Sequence, residues 1–173
     1  LHGNKVPQKR STKYLSDKLD TSQFWTNRSR GDISVKLVAA RRAFKQLMKV
    51  WKHKNIPLKR RINIYRQCII NKLICGLQTL FISVRDYNRL EAFHFRSLRS
   101  ILKKHSTHAA KNILHTEAMT NDQILTKCHD FPIRTRIEAQ QIRQFAHIYR
   151  REETNLTRKI YFTRLGSIAK PTK

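Results

Sequence analysis

The sequence predicts an all-α fold: a helical bundle of three main helices followed by C-terminal helices, with a short strand or hairpin near the N-terminus. Three observations predict it. Glycine and proline number only four each in 173 residues, and strand-type alternation is scarce. The second half of the stretch Leu58 to Leu80 is apolar on nearly every side, because Cys68, Ile69, Ile70, Leu73, Ile74, Leu77 and Leu80 exceed what one helical stripe can hold. The flanking segments, Ile33 to Trp51 and Tyr87 to Leu102, each pair one apolar stripe with one basic stripe. That is the pattern of helices that cover a central rod and turn positive charge outward.

Lys and Arg total 37 against 11 Asp and Glu, a formal charge of +26. This excess goes beyond what solubility requires and works against a compact state by self-repulsion, so a polyanionic partner is expected. Nucleic acid fits best, since clustered Lys and Arg release condensed counterions from phosphates. No membrane partner is expected: no run approaches ~18 apolar residues, and Lys72 interrupts the most hydrophobic segment. The polar, basic N-terminal stretch contains no signal-peptide core, and the start at Leu1 points to a fragment or a processed product. Cys68, Cys75 and Cys128 form no CxxC pair and are expected to be free thiols of a reducing compartment.

Residues 1–31 read as a basic segment in which Lys13-Tyr14-Leu15 supplies a strand and Phe24 and Trp25 cap one end of the core. Asp32 is the expected N-cap of a helix running to about Lys54. Ile33, Leu37, Ala40, Phe44, Leu47 and Trp51 recur at helical spacing on its inner face. Arg41, Lys45, Lys49 and Lys52 recur the same way on another face, joined by Lys36, Arg42 and Lys54. A solvated face ordinarily mixes charge signs, so a row of one sign is expected to meet an external anion. Asn55-Ile56-Pro57 ends this helix, and Leu58 to about Phe81 forms the central one, with Gly76 as a point of close helix packing.

Ser83 to Asp86 reads as a capping box. The third helix sets Tyr87, Leu90, His94, Leu98 and Ile101 inward and Arg89, Arg96, Arg99 and Lys103 outward, so residues 32–104 repeat one design twice around the rod. Residues 105–165 read as a basic helical extension and 166–173 as a disordered tail. Within the extension a short helix is expected near Ala109 to Leu114 and another from about Asn121. A longer one spans Ile133 to Tyr149, with Ile137, Phe145 and Ile148 inside and Arg134, Arg136, Arg143 and Arg150 outside. Thr154 is the expected cap of a last helix to Leu165.

The residues for chemistry are missing from this pattern. His105, His108, His115, Cys128 and His129 lack the paired spacing of structural zinc ligands, so no metal site is expected. There is no adjacent aspartate pair for two-metal phosphoryl transfer, no GxxxxGK[ST] loop and no GxSxG turn. Glu152 and Glu153 adjoin in an arginine-flanked linker, where they balance charge. His94, between Phe93 and Phe95 on an apolar face, reads as a core histidine rather than a base.

One segment resembles a known family. Leu90-Glu91-Ala92-Phe93-His94-Phe95-Arg96-Ser97-Leu98-Arg99-Ser100-Ile101-Leu102 is similar to the region downstream of the polymerase palm in reverse transcriptases of non-LTR, LINE-type retrotransposons. Three further matches follow the family's order: Lys13-Tyr14-Leu15 resembles the start of its primer-grip motif KYLG, Ala40-Arg41-Arg42-Ala43-Phe44 through Trp51 its first thumb helix, and Ile64-Tyr65 through Gly76 the next. Ser16 stands where the grip has glycine, and Cys75, Gln78 and Leu80 stand where the family commonly has tyrosine, glutamate and tryptophan.

The resemblance implies a thumb whose basic residues hold an RNA, DNA or hybrid duplex by its phosphates, with Lys13 and Tyr14 near the primer end. Arg41, Arg42, Lys45, Lys49, Lys52, Arg89, Arg96, Arg99 and Lys103 would contact the backbone. It further implies that the palm and fingers, with paired aspartates and two magnesium ions, precede this chain, which then carries no catalytic residue or cofactor of its own. Nuclear residence is implied on the same ground. The alternative is a stand-alone basic helical nucleic-acid-binding or assembly protein derived from such an element.

Overall fold

The structure, a computed structural model, describes residues 11–14, 17–20, 25–106 and 118–168, with burial for 31–106 and 118–162. The expectations for Phe24, for the position of Ser16, for the helix near Ala109 to Leu114 and for the tail beyond Ile168 lie outside the described residues.

The expected helical bundle is present, and a hairpin precedes it. Strands β1 (Ser11–Tyr14) and β2 (Asp17–Asp20) pair antiparallel, with Ser11 opposite Asp20 and Tyr14 opposite Asp17. Helix α1 (Trp25–Gln46) then starts well before Asp32, which is a buried residue inside the helix and not its N-cap. Gly31 costs a helix only about 1 kcal/mol, less than the burial of Ile33, Leu37 and Ala40 returns. At Leu47 (φ −87°, ψ 14°) the helix pauses, and α2 (Met48–Lys52) continues it, ending at an extended His53 rather than at Lys54. Trp51 fastens this end: its ring stacks on Phe44 at 5.3 Å and its indole N–H donates to the Phe44 carbonyl at 2.9 Å.

The central rod is shorter and less uniform than expected. Helix α3 (Leu58–Tyr65) passes into a wide π-helical turn at Arg66–Ile70, closed by the Asn71 amide bonding to the Arg66 carbonyl, and then into α4 (Asn71–Ile74). Ile62, Tyr65, Ile69, Ile70, Leu73 and Ile74 are buried, but Cys68 and Cys75 are exposed, so the rod is not covered on every side. Gly76 is not a helix-packing site either. Its φ of 79° lies in the left-handed region that glycine adopts without steric cost, and it turns the chain into a 3-10 turn at Leu77–Thr79.

Helix α5 (Val84–Leu102) begins at Ser83, whose side chain accepts from the Asp86 amide at 3.2 Å. The Asp86 carboxylate accepts from the Ser83 hydroxyl at 2.7 Å and from Arg89 at 2.9 Å, so the reciprocal half of the expected box is replaced by a side-chain network. Tyr87, Leu90, Phe93, His94, Ser97, Leu98 and Ile101 are buried along one face, as the periodicity predicts. A parallel bridge of β3 (His105–Ser106) and β4 (Ala118–Met119) leads to α6 (Asn121–Cys128), which Thr120 and Gln123 open with a full capping box. Helix α7 (Ile133–Tyr149) matches its expected bounds, whereas α8 (Leu156–Ile168) is opened by Asn155, whose side chain accepts from the Thr157 amide, and extends past Leu165.

One core unites α1 to α7. Ile124, Cys128, Ile133 and Ile137 join the same buried cluster as Leu37, Trp51, Ile69 and Leu90, so α6 and α7 close the bundle rather than trail from it. Phe145, expected inside, is 44% exposed and meets the Phe162 ring at 5.8 Å, because by that point α7 packs on α8 and has left the main core.

The core also holds a polar seam. Tyr65 and His94 share a hydrogen bond of 3.0 Å between the phenol oxygen and Nδ1, with the rings stacked at 5.8 Å. Burial raises the Tyr65 pKa well above that of a free phenol and lowers that of His94 to about 4, so the imidazole is neutral near pH 7. His94 Nε2 is buried without a partner. Beside them the buried Asp130 carboxylate is held by Arg66 at 3.4 Å, by Arg136, and by the Phe131 amide at 2.8 Å. Arg136, expected outside on α7, therefore points inward to neutralise that carboxylate.

Candidate nucleic-acid interface

The sequence marks two basic rows, and the structure treats them differently. On α1 and α2, Arg41, Arg42, Lys45, Lys49 and Lys52 are all exposed. Helical spacing forces this arrangement once Leu37, Ala40 and Trp51 are buried on the other side. No acid pairs with any of the five among the described residues, so their ammonium and guanidinium groups remain available to an anion. The pause at Leu47 does not divide the row, since residues of that character stand on both sides of it.

On α5 half of the second row is engaged. Arg89 is half-buried and bridges two helices, donating to Asp86 at 2.9 Å and to the Ser34 hydroxyl on α1 at 2.9 Å. Arg99 donates to the Asn121 side chain at 2.6 Å and to the Met119 carbonyl at 3.4 Å, and its guanidinium lies 5.9 Å from the Phe95 ring centre. Desolvation lowers its pKa from the usual arginine value. Neither residue faces freely outward as the spacing predicts: segments returning to α5 meet them with acceptors, and a charge-assisted hydrogen bond holds them there. Arg96 and Lys103 remain exposed as expected. Lys103 also ends the helix in a left-handed conformation, φ 55°, with its amide turned back to the last carbonyls.

Arg96 and Arg99 line a depression of about 660 Å³ together with Lys104, His105 and Asn121. Spacing on α5 could not reveal the last three, because the β3–β4 bridge brings them there. Arg99 Nε is buried without a hydrogen-bond partner at this site. The two rows are thus a free one and a partly tied one. Lys13 and Tyr14 stand in β1 opposite Lys18 and Asp17, and their side chains lie outside the described residues.

Among the described residues no three His, Cys, Asp or Glu side chains come together as a metal site, and no helix is long and apolar enough to cross a membrane. What these two rows offer chemically is fixed positive charge, which attracts an anion. Set against known proteins, the chain matches no family model, no curated protein and no solved structure.

Proposed function

We propose that this chain is a non-catalytic thumb and C-terminal fragment of an RNA-directed DNA polymerase of a non-LTR retrotransposon, and that it holds the template–primer duplex by its phosphates. The observation that carries the binding half of this reading is the row of exposed, unpaired cations Arg41, Arg42, Lys45, Lys49 and Lys52 on α1 and α2. A row of one sign, about 17 Å long over roughly eleven helical rises, suits a backbone that carries one charge per ~1.7 Å of duplex axis. The assignment to this polymerase class rests on the sequence resemblance over residues 13 to 102.

A second reading, a stand-alone helical nucleic-acid-binding protein derived from such an element, is favoured by one observation. The buried cluster from Ile33 to Ile137 gathers α1 to α7 around one core. An upstream reading frame encoding a strand, two aspartates and another strand would support the first; a methionine just before Leu1 would support the second.

The binding reading is tested by salt dependence. Replacing Arg41, Lys45, Lys49 and Lys52 by Gln is expected to reduce the log-log slope of duplex affinity against salt by ~0.9 for each phosphate that the variant no longer neutralises. An unchanged slope would remove the row from the interface.

A further inference from the structure

A groove runs between the central rod and α7. It consists of two adjoining depressions of about 380 and 460 Å³ that share Asn71, Gln140 and Arg143. One end is lined by Gln78, Cys75 and Gln144, the other by Phe131, Thr135 and Arg136.

Three features of this groove ask for a ligand. Gln78 Oε1 and Gln140 Oε1 are buried acceptors with no hydrogen-bond partner. Native structures rarely leave such atoms unpaired, and both residues line the groove. At the far end the Phe131 ring is 62% exposed, although Asp130 fixes the backbone beside it by accepting from the Phe131 amide. Arg136, anchored on Asp130, sits 6.0 Å from the ring centre and braces it. Between the two ends Arg143 is exposed and has no ion pair among the described residues.

We propose that this groove binds single-stranded nucleic acid, with a base stacked on Phe131, a phosphate on Arg143, and the amides of Gln78 and Gln140 accepting from an exocyclic base amine. Glutamine amides match adenine and cytosine edges, and an exposed ring accepts any base face. No carboxylate lines either depression, which leaves the groove open to a polyanion. The site extends beyond the duplex reading and does not rest on it, since none of its residues belongs to the row on α1 and α2.

The three thiols supply the test. Cys75 lines the groove, Cys68 is exposed outside it, and Cys128 is buried. Alkylation of each is followed by mass spectrometry on the full chain, with twelve-residue oligo(A), oligo(C) or oligo(U) present. Oligo(A) and oligo(C) are expected to slow the reaction of Cys75 several-fold while Cys68 reacts as before. The Gln78→Met, Gln140→Met double variant should weaken oligo(A) and oligo(C) binding by roughly tenfold and oligo(U) less, because uracil carries no exocyclic amine for those amides to accept from. Arg143→Gln should weaken all three.

Cys128 remaining unreactive certifies that a variant is folded. Equal protection of Cys68 and Cys75, protection of Cys75 by polyglutamate as strong as by oligo(A), or an unaltered base preference in the double variant would each overturn the site. Loss of single-strand binding in the α1–α2 glutamine variant, with Cys75 left unprotected, would assign that binding to the basic row instead. An unchanged duplex salt slope beside intact Cys75 protection would sink the duplex reading and leave this one standing.

Discussion

The outer side of α1 and α2 and the seam where the central rod and α5 meet α6 and α7 are both rich in cations, yet they use them in opposite ways. On α1 and α2, Arg41, Lys45, Lys49 and Lys52 face outward without acids. At the seam, Arg66 and Arg136 neutralise Asp130 and Arg99 holds Asn121; nearer α2, Arg61 donates to the Trp51 and Ile101 carbonyls at 3.0 and 3.2 Å. Arg89 does the same work between α5 and α1. The difference teaches that a basic stripe stays free for a partner only where no other part of the fold meets it with acceptors. Arginine suits the seam because its planar fork can satisfy several carbonyls at once.

The comparison breaks most visibly at the two extremes of charge use. Gln at Arg41, Lys45, Lys49 and Lys52 together is expected to cost orders of magnitude of duplex affinity at low salt with little loss of stability, read by titration at several salt concentrations. Asp130→Ala should do the reverse. It leaves Arg66 and Arg136 facing a vacated buried position and is expected to cost about 3–5 kcal/mol in urea unfolding, with the salt slope unaltered. If Asp130→Ala were harmless to stability, the seam arginines would have to be counted as free, and the contrast would fail.

The seam should also answer to acid. His94 has its pKa lowered from 6.5 to about 4, first by burial and then by the positive charge of Arg136 and Arg66, against the pull of Asp130. Between those values the unfolded chain takes up a proton that the folded chain refuses. Stability is therefore fully present above about pH 6.5 and declines as the pH falls toward 4, by on the order of 3 kcal/mol in all. His94→Phe should flatten the pH dependence of the urea midpoint across that window; a dependence that survived would place its source elsewhere.

Smaller effects sharpen the contrast on α5 itself. Arg89→Gln removes donors from the buried Asp86 carboxylate and from Ser34, at about 1–3 kcal/mol, and should leave the duplex salt slope alone. Lys103→Gly relieves a left-handed backbone at a helix end and should stabilise by about 0.5–1 kcal/mol, while removing one cation from the exposed surface. A salt slope reduced as much by Arg89→Gln as by Lys45→Gln would erase the distinction between tied and free cations.

Much of the fold was legible because it depends on local periodicity. The inner face of α5, the bounds of α7 and the capping residue Ser83 follow from spacing and from the chemistry of helix ends, which a short window contains. Of the hairpin only the first strand was legible, in the short run at Lys13 and Tyr14. Illegible were the early start of α1, since Gly31 and Asp32 look like a boundary that burial overrides, and the break at Gly76, since a glycine among apolar residues has two uses that only backbone geometry separates. In the candidate interface the row on α1 and α2 was legible as a row. The amide groove was not, because Gln78 and Gln140 are distant in the chain.

The sequence by itself determined that this chain folds into helices around an apolar rod and carries a large positive excess, because composition and periodicity act on neighbours a few residues apart. Only the tertiary structure decided which cations are left for a partner. That depends on where Asp130, Asn121 and Ser34 arrive, and a hydrogen bond between residues dozens of positions apart leaves no mark in either stripe.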